Sequence, residues 1–234
     1  MTSTDLTRTI QARLRDAGLD LVQAFDLAWY NERIAGHPRL RPLETFGRAN
    51  SSALALLVGN TRALWPRLRA ALATDPQLRA STDPVDDYAQ TELVRATGGL
   101  AVACSVYPAR ERGAEVSLLH AAEASGFAAV GPAQLGVHRE LGPWFGLRGL
   151  IVLDVALERQ RPAPDSPCAT CSRPCVTPLS EALAAQARGP MDSIAHSWPQ
   201  WLAVRDACPV GREHRYGPQQ LAYHYTKDRS WLGL

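Results

Sequence analysis

His138-Arg-Glu-Leu-Gly-Pro-Trp-Phe-Gly-Leu-Arg-Gly149, running into Leu150-Ile-Val-Leu-Asp-Val155, reads as a loop that turns and enters a buried strand. Gly142-Pro143 is turn chemistry. Leu150 to Val155 is a short apolar run with β-branched members, as a covered strand would be. Trp144, Phe145 and Arg148 stand between the two, large side chains at the mouth of a strand. Two readings follow from residue type alone. Aromatic area and a directed guanidinium suit the floor of a flat, polar-edged ligand site. Equally, Trp144 and Phe145 suit a core pair, with Arg148 in an ordinary ion pair.

Whole-chain totals narrow the function classes. The 25 basic residues nearly balance 23 acidic ones, so no electrostatic footprint for nucleic acid is present. No apolar run is long enough to span a membrane. The N-terminus is polar and mixed in charge, unlike a secretory leader, so a cytoplasmic location is expected. Five cysteines, four of them in the last third, then read as metal ligands rather than a disulfide framework.

Along the chain, Thr4-Asp5 begins a helix carrying Leu6, Ile10 and Leu14, and Gly18 closes it. Leu19 to Trp29 reads as extended, ending in Trp29-Tyr30-Asn31-Glu32. Residues 36–50 read as loop. Ala53 to Val58 is a central strand by its unbroken apolar run, followed by a helix with Leu64, Leu68 and Leu72 on one face. Asp83-Pro84 starts another helix and Gly98-Gly99 ends it. Leu100 to Tyr107 is a strand with Cys104 inside it, and residues 115–125 are helical. Glycines at 126, 131 and 136 would let backbone approach a ligand closely. Strands and helices alternate without a βαβ rhythm, so the class is mixed α and β. Prolines crowd residues 161–167, which divides the chain into a core, 1–158, and a small C-terminal cysteine-bearing appendage, 159–234.

In that appendage Cys168-x-x-Cys171-x-x-x-Cys175 is followed by Cys208-Pro209. Closely spaced thiols in a Pro-rich loop wrap one metal centre, and a distant fourth closes it. Thiolate suits an iron–sulfur cluster or zinc. The spacing departs from the bacterial ferredoxin run and from paired zinc ribbons, so one 4Fe–4S cluster, zinc, and free or disulfide-bonded thiols all stand at this point.

The opening stretch resembles the His-Pro-x-x-Gly-Gly-Trp-Phe-x-x-Arg-Gly segment of the cobalamin-processing family of methylmalonic aciduria and homocystinuria type C, the cyanocobalamin decyanases and alkylcobalamin dealkylases. Arg139 replaces the proline and Pro143 the second glycine. Three further blocks are similar in the same order: Ala28-Trp-Tyr-Asn-Glu32, Thr82-Asp-Pro-Val-Asp86, and Arg205-Asp-Ala207 with Arg215-Tyr216. The passage from residue 126 to the strand also resembles epoxyqueuosine reductases and reductive dehalogenases. All three groups imply a nitroreductase-like α+β fold, a mixed sheet packed with helices, that carries base-off cobalamin.

The resemblance implies a cobalamin site at Gly136, His138, Trp144, Phe145, Leu147, Arg148 and Tyr216, with no protein ligand on cobalt. It implies glutathione-binding candidates at Arg148, Arg205 and Arg229. Similarity to epoxyqueuosine reductases implies one 4Fe–4S cluster on Cys168, Cys171, Cys175 and Cys208. Two departures bear on the pocket: the animal family has a histidine where Glu123 stands, and an aromatic run at residues 128–132. The expected activity is reduction of cobalamin or removal of its upper ligand. The expected partners are cobalamin, an electron-donor protein or low-molecular-weight thiol, and a second copy in a homodimer. Rival expectations are a cobalamin-dependent reductase of a separate substrate, a flavin-dependent relative, and a cobalamin carrier with a structural metal.

Overall fold

The computed structural model describes residues 2–48, 52–109, 116–157, 160–163, 165–189 and 194–234. In chain order the elements are α1 (Ser3–Asp16), β1 (Leu21–Asp26), α2 (Leu27–Arg33), β2 (Leu54–Asn60), α3 (Leu64–Thr74), α4 (Pro76–Ala80), α5 (Pro84–Thr97), β3 (Cys104–Pro108), α6 (Leu118–Ala124), β4 (Ala129–Val130), β5 (Gly136–Val137), β6 (Gly146–Leu153), α7 (Val176–Gln186), α8 (Trp198–Asp206) and α9 (Pro218–Thr226). Short 3-10 turns occupy Arg212–His214 and Arg229–Leu232. The chain divides into two units, residues 1–127 with 146–164, and residues 128–145 with 165–234. Residues 128–145 thus group with the cysteine-bearing segment. Residues 158 and 159, where the two-part division was expected, lie outside the described residues.

The first unit is built on a four-stranded antiparallel sheet of order β1-β2-β6-β3. Strand β2 is buried along its whole length, and Leu150 to Leu153 of β6 are fully buried beside it. Unbroken apolar runs mark strands covered on both faces, and here they form the centre of the sheet. Helix α5 packs on β3 and β6, α6 on β2 and β6, and α1 on α5 and β1. Helix α1 buries Leu6, Ile10 and Leu14, the stripe read from their spacing, behind a Thr2–Asp5 capping box. Leu64, Leu68 and Leu72 do the same for α3.

One expectation is corrected here. Leu19 to Trp29 is not one extended segment: β1 stops at Asp26, and Trp29 to Glu32 lie on α2. Asp26 makes the switch by accepting from Ala28 N at 2.9 Å and from Ser52 Oγ at 2.8 Å, an N-cap between two apolar runs. Strand β3 also begins four residues later than expected, at Cys104.

The second unit holds a two-stranded ribbon, β4–β5, with α7, α8 and α9. Helices α7 and α8 pack as an antiparallel pair. Gln186 at the end of α7 accepts from Ser197 Oγ at 3.0 Å and from Trp201 Nε1 at 3.4 Å at the start of α8. No helix among the described residues is long and apolar enough to cross a membrane.

Candidate functional site

All four appendage cysteines line one pocket. The geometry follows from the helix pair. Cys175 is the N-cap position of α7, and Cys208 follows the last turn of α8, its N–H donating to Arg205 O at 3.1 Å. An antiparallel pair joined at one end brings its other two ends together, so residues 33 positions apart meet. Cys168 and Cys171 come from the loop before α7. Two residues beyond Cys208 the chain passes close to Gly142, which at φ 57° has no room for a side chain because the Val210 carbonyl lies against it.

The remaining wall of the pocket is apolar: Pro132, Leu135, Val137, Pro143, Val204 and Pro209 among others. Burial pushes the Cys168 thiol above its usual value, and the neighbouring Cys208, Cys171 and Cys175 push it further. Cys208 is raised by burial first, and by Cys171 and Cys175. Cys168 and Cys208 thus resist becoming thiolates unless a cation neutralises them. All five cysteines of the chain are free thiols, so no disulfide links this set. No group of three or more His, Cys, Asp or Glu side chains among the described residues is already arranged to hold a metal ion. Four thiols from two segments facing one apolar pocket are a donor set that suits a sulfur-ligated centre, an iron–sulfur cluster or zinc.

Beside this pocket, and sharing Ala133, Leu135 and Val204 with it, lies a groove of about 440 Å³. Trp201, Val204 and Arg205 line it from one face of α8, His224 and Tyr225 from α9, and Ile194 from the segment between α7 and α8. No carboxylate is among the described lining residues. Arg205 is fixed from behind. Its Nη2 donates to Pro143 O at 2.5 Å, and its guanidinium stacks 5.1 Å from the Trp144 ring and 5.8 Å from that of Tyr216. Trp144 and Tyr216 meet edge to face at 6.1 Å and form a small core with Leu221. Burial raises the Tyr225 hydroxyl above its usual value, and the Arg205 charge opposes that shift. An arginine, a tyrosine and a histidine over an apolar floor suit a small anionic ligand with an apolar body.

The expected site residues divide between the units. Gly136, His138, Trp144, Phe145, Tyr216, Arg205 and Arg229 belong to the second, Leu147 and Arg148 to the first. Trp144 is 1% exposed and Tyr216 3%, so both are core supports of Arg205 rather than an open floor. His138 Nδ1 accepts from Glu140 N at 3.1 Å and Leu141 N at 3.2 Å, and burial holds its pKa below the usual value. Its ring thus closes the turn as a neutral imidazole. Gly136 is paired to Val130 in the ribbon. Arg148 donates to Asn60 Oδ1 at 2.6 Å and to Asp86 Oδ1 at 3.0 Å, tying β6 to β2 and α5. Arg229 heads the last 3-10 turn. Glu123 pairs with Arg33 at 3.0 Å.

The sequence matches no family model and no curated protein. Solved structures do match. The B12-trafficking protein CblC of C. elegans, a human MMACHC homologue, matches with TM-score 0.68 at 15% identity, over 98% of this chain and 95% of that one. Two structures of epoxyqueuosine reductase, one with a tRNA-Tyr epoxyqueuosine-modified stem loop, match with TM-scores 0.55 and 0.50. Both are at 11% identity, over 92% of this chain and 68% of theirs. The fold is that of CblC. The mixed α+β fold expected from the sequence is thereby shown, and the likeness to CblC is one of fold.

The reading of the sequence missed the groove. Its signal was present: Trp201, Val204 and Arg205 stand at i, i+3 and i+4, one helical face. The role of residues 131–137 as a wall of the cysteine pocket left no comparable signal, because the pairing of β4 with β5 is only two residues long.

Proposed function

We propose that this chain handles corrinoids: it binds base-off cobalamin and reduces it or removes its upper ligand, with one 4Fe–4S cluster on Cys168, Cys171, Cys175 and Cys208 as electron relay. The observation that carries this reading is the convergence of four free thiols from two segments on one apolar pocket, in a chain that shares the fold of a B12-trafficking protein. When bound, such a cluster supplies one-electron chemistry. The protein's part is to hold four thiolates out of water and to keep a ligand groove one side chain away, across Leu135 and Val204. Arg205 gives that groove a fixed cation for an anionic or thiol-bearing co-substrate such as glutathione. Arg148 and Arg229 are further candidates for that ligand, Arg148 at the cost of its bond to Asp86. The donor is an electron-carrier protein or a low-molecular-weight thiol, and the homodimer is part of the proposal.

The test is ligand removal. Anaerobically reconstituted protein is given cyanocobalamin and methylcobalamin under a low-potential reductant, and the corrinoid spectrum is followed. The parent should convert both; the double variant Cys168→Ala, Cys171→Ala should lose electron-driven conversion while still binding cobalamin. Unchanged conversion by the variant overturns the relay.

The likeness to epoxyqueuosine reductase favours a second reading, a cobalamin-dependent reductase of a separate small substrate. It predicts cobalamin that stays bound and unaltered through many turnovers of another compound. A carrier with a structural metal predicts tight cobalamin binding without turnover.

A further inference from the structure

The cysteine pocket is closed by two turns whose backbones hold non-glycine residues in the left-handed region, Gln134 at φ 57° and Arg173 at φ 59°. Such a conformation is strained for an L-residue and persists only where the surroundings impose it. One turn is the tip of the β4–β5 ribbon. Gly131 N donates to Leu135 O at 2.8 Å and Gln134 N donates to Gly131 O at 2.9 Å, so the tip is closed on itself. This closure lays Gly131 against the pocket: a Cβ added there would stand 3.3 Å from Cys168 Sγ and 3.0 Å from Val137 Cγ2. The other turn lies within the cysteine run. There Arg173 N donates to Cys171 Sγ at 3.4 Å, and Arg173 is an exposed residue at the rim of the pocket.

We propose that these two turns, and not the cysteines alone, set the properties of the four-thiol centre: Gly131 is the spacer that admits Cys168 Sγ, and the Arg173 N–H is the donor that tunes Cys171 Sγ. Both are positioning residues. This inference rests on the cluster reading and adds to it which backbone groups govern the centre. The physical basis is twofold. A hydrogen bond to a ligand sulfur draws charge off it and stabilises the more reduced, more negative cluster, so it raises the reduction potential. The left-handed conformation of Arg173 sets the path of the chain from this turn to Cys175 at the head of α7, so a residue that leaves it displaces the turn that carries the N–H. The contact at Gly131 acts by space. An added methyl at residue 131 presses on both Val137 Cγ2 and Cys168 Sγ, and each must give by a few tenths of an ångström to admit it.

The experiment compares the full chain with Gly131→Ala, Arg173→Val and Arg173→Gly, each reconstituted anaerobically with iron and sulfide. Iron and sulfide content, rate of iron loss to a chelator, and midpoint potential are measured. Arg173→Gly keeps the N–H and accepts positive φ, so its iron content and potential should match the parent's. Arg173→Val disfavours positive φ, so its potential should fall below the parent's. Gly131→Ala should lose iron to the chelator several-fold faster. Secondary structure by circular dichroism should be that of the parent in all three, which separates these effects from misfolding. Variants with the parent's potential and iron retention overturn the inference alone. A parent that takes up no iron overturns the cluster reading and this inference with it. A fall in potential in Arg173→Gly equal to that in Arg173→Val assigns the effect to the lost side-chain charge and also overturns it.

Discussion

At Arg148 the two readings open from residue type meet a definite geometry. Its side chain is 12% exposed and that of Asp86 21%, and they pair at 3.0 Å while Asn60 takes the Nε proton. Removing one partner of a mostly buried pair leaves a charge uncompensated, so Arg148→Ala should cost about 3 kcal/mol in urea unfolding. A variant of parental stability that loses only thiol affinity would instead return Arg148 to the ligand site. Tyr88 gives the chain an alkaline limit. Burial, aided by Glu92, pushes its hydroxyl up to about 12 while the OH donates to Ala17 O at 3.0 Å. The folded state holds this proton above pH 10, where the unfolded chain gives it up. Its contribution is whole below pH 10 and is lost as pH rises toward 12, so stability falls across that window. Equilibrium unfolding at pH 9 and pH 11.5 checks this, and Tyr88→Phe should flatten the slope.

Among the elements, those legible in the sequence are the ones whose burial pattern is local. Helices α1 and α3 show their buried leucines at fixed spacing, and β2 shows an unbroken apolar run. The switch from β1 to α2 was not legible, since the apolar residues continue through it and only the Asp26 cap marks the change. Asp26→Ala should therefore destabilise by about 1–2 kcal/mol in thermal unfolding, well beyond what an exposed aspartate would give. Helices α7 and α8 illustrate the other limit. Cys175 and Cys208 were read as one ligand set from residue type, but the device that joins them is a helix pair fastened at Gln186 and Ser197. Tertiary pairing of that kind leaves no periodic trace in the sequence. Trp144 shows why an aromatic at a strand mouth is ambiguous: whether it faces a ligand or supports an arginine depends on α8 and Tyr216, distant in the chain.

For the molecule as a whole, the fold matches a B12-trafficking protein along nearly its full length, while the four-thiol pocket supplies what the proposed electron relay needs. Low identity, 15%, means that fold was legible only through short blocks in order, and that side-chain roles must be tested on this chain. The most direct measurement is anaerobic reconstitution with iron and sulfide, followed by titration with cobalamin under a visible spectrometer. The account predicts about four iron and four sulfide per chain, broad brown absorbance that dithionite bleaches, and a corrinoid spectrum that shifts to the base-off form on binding. Protein that stays colourless and leaves the cobalamin spectrum unchanged in every oxidation state would contradict it.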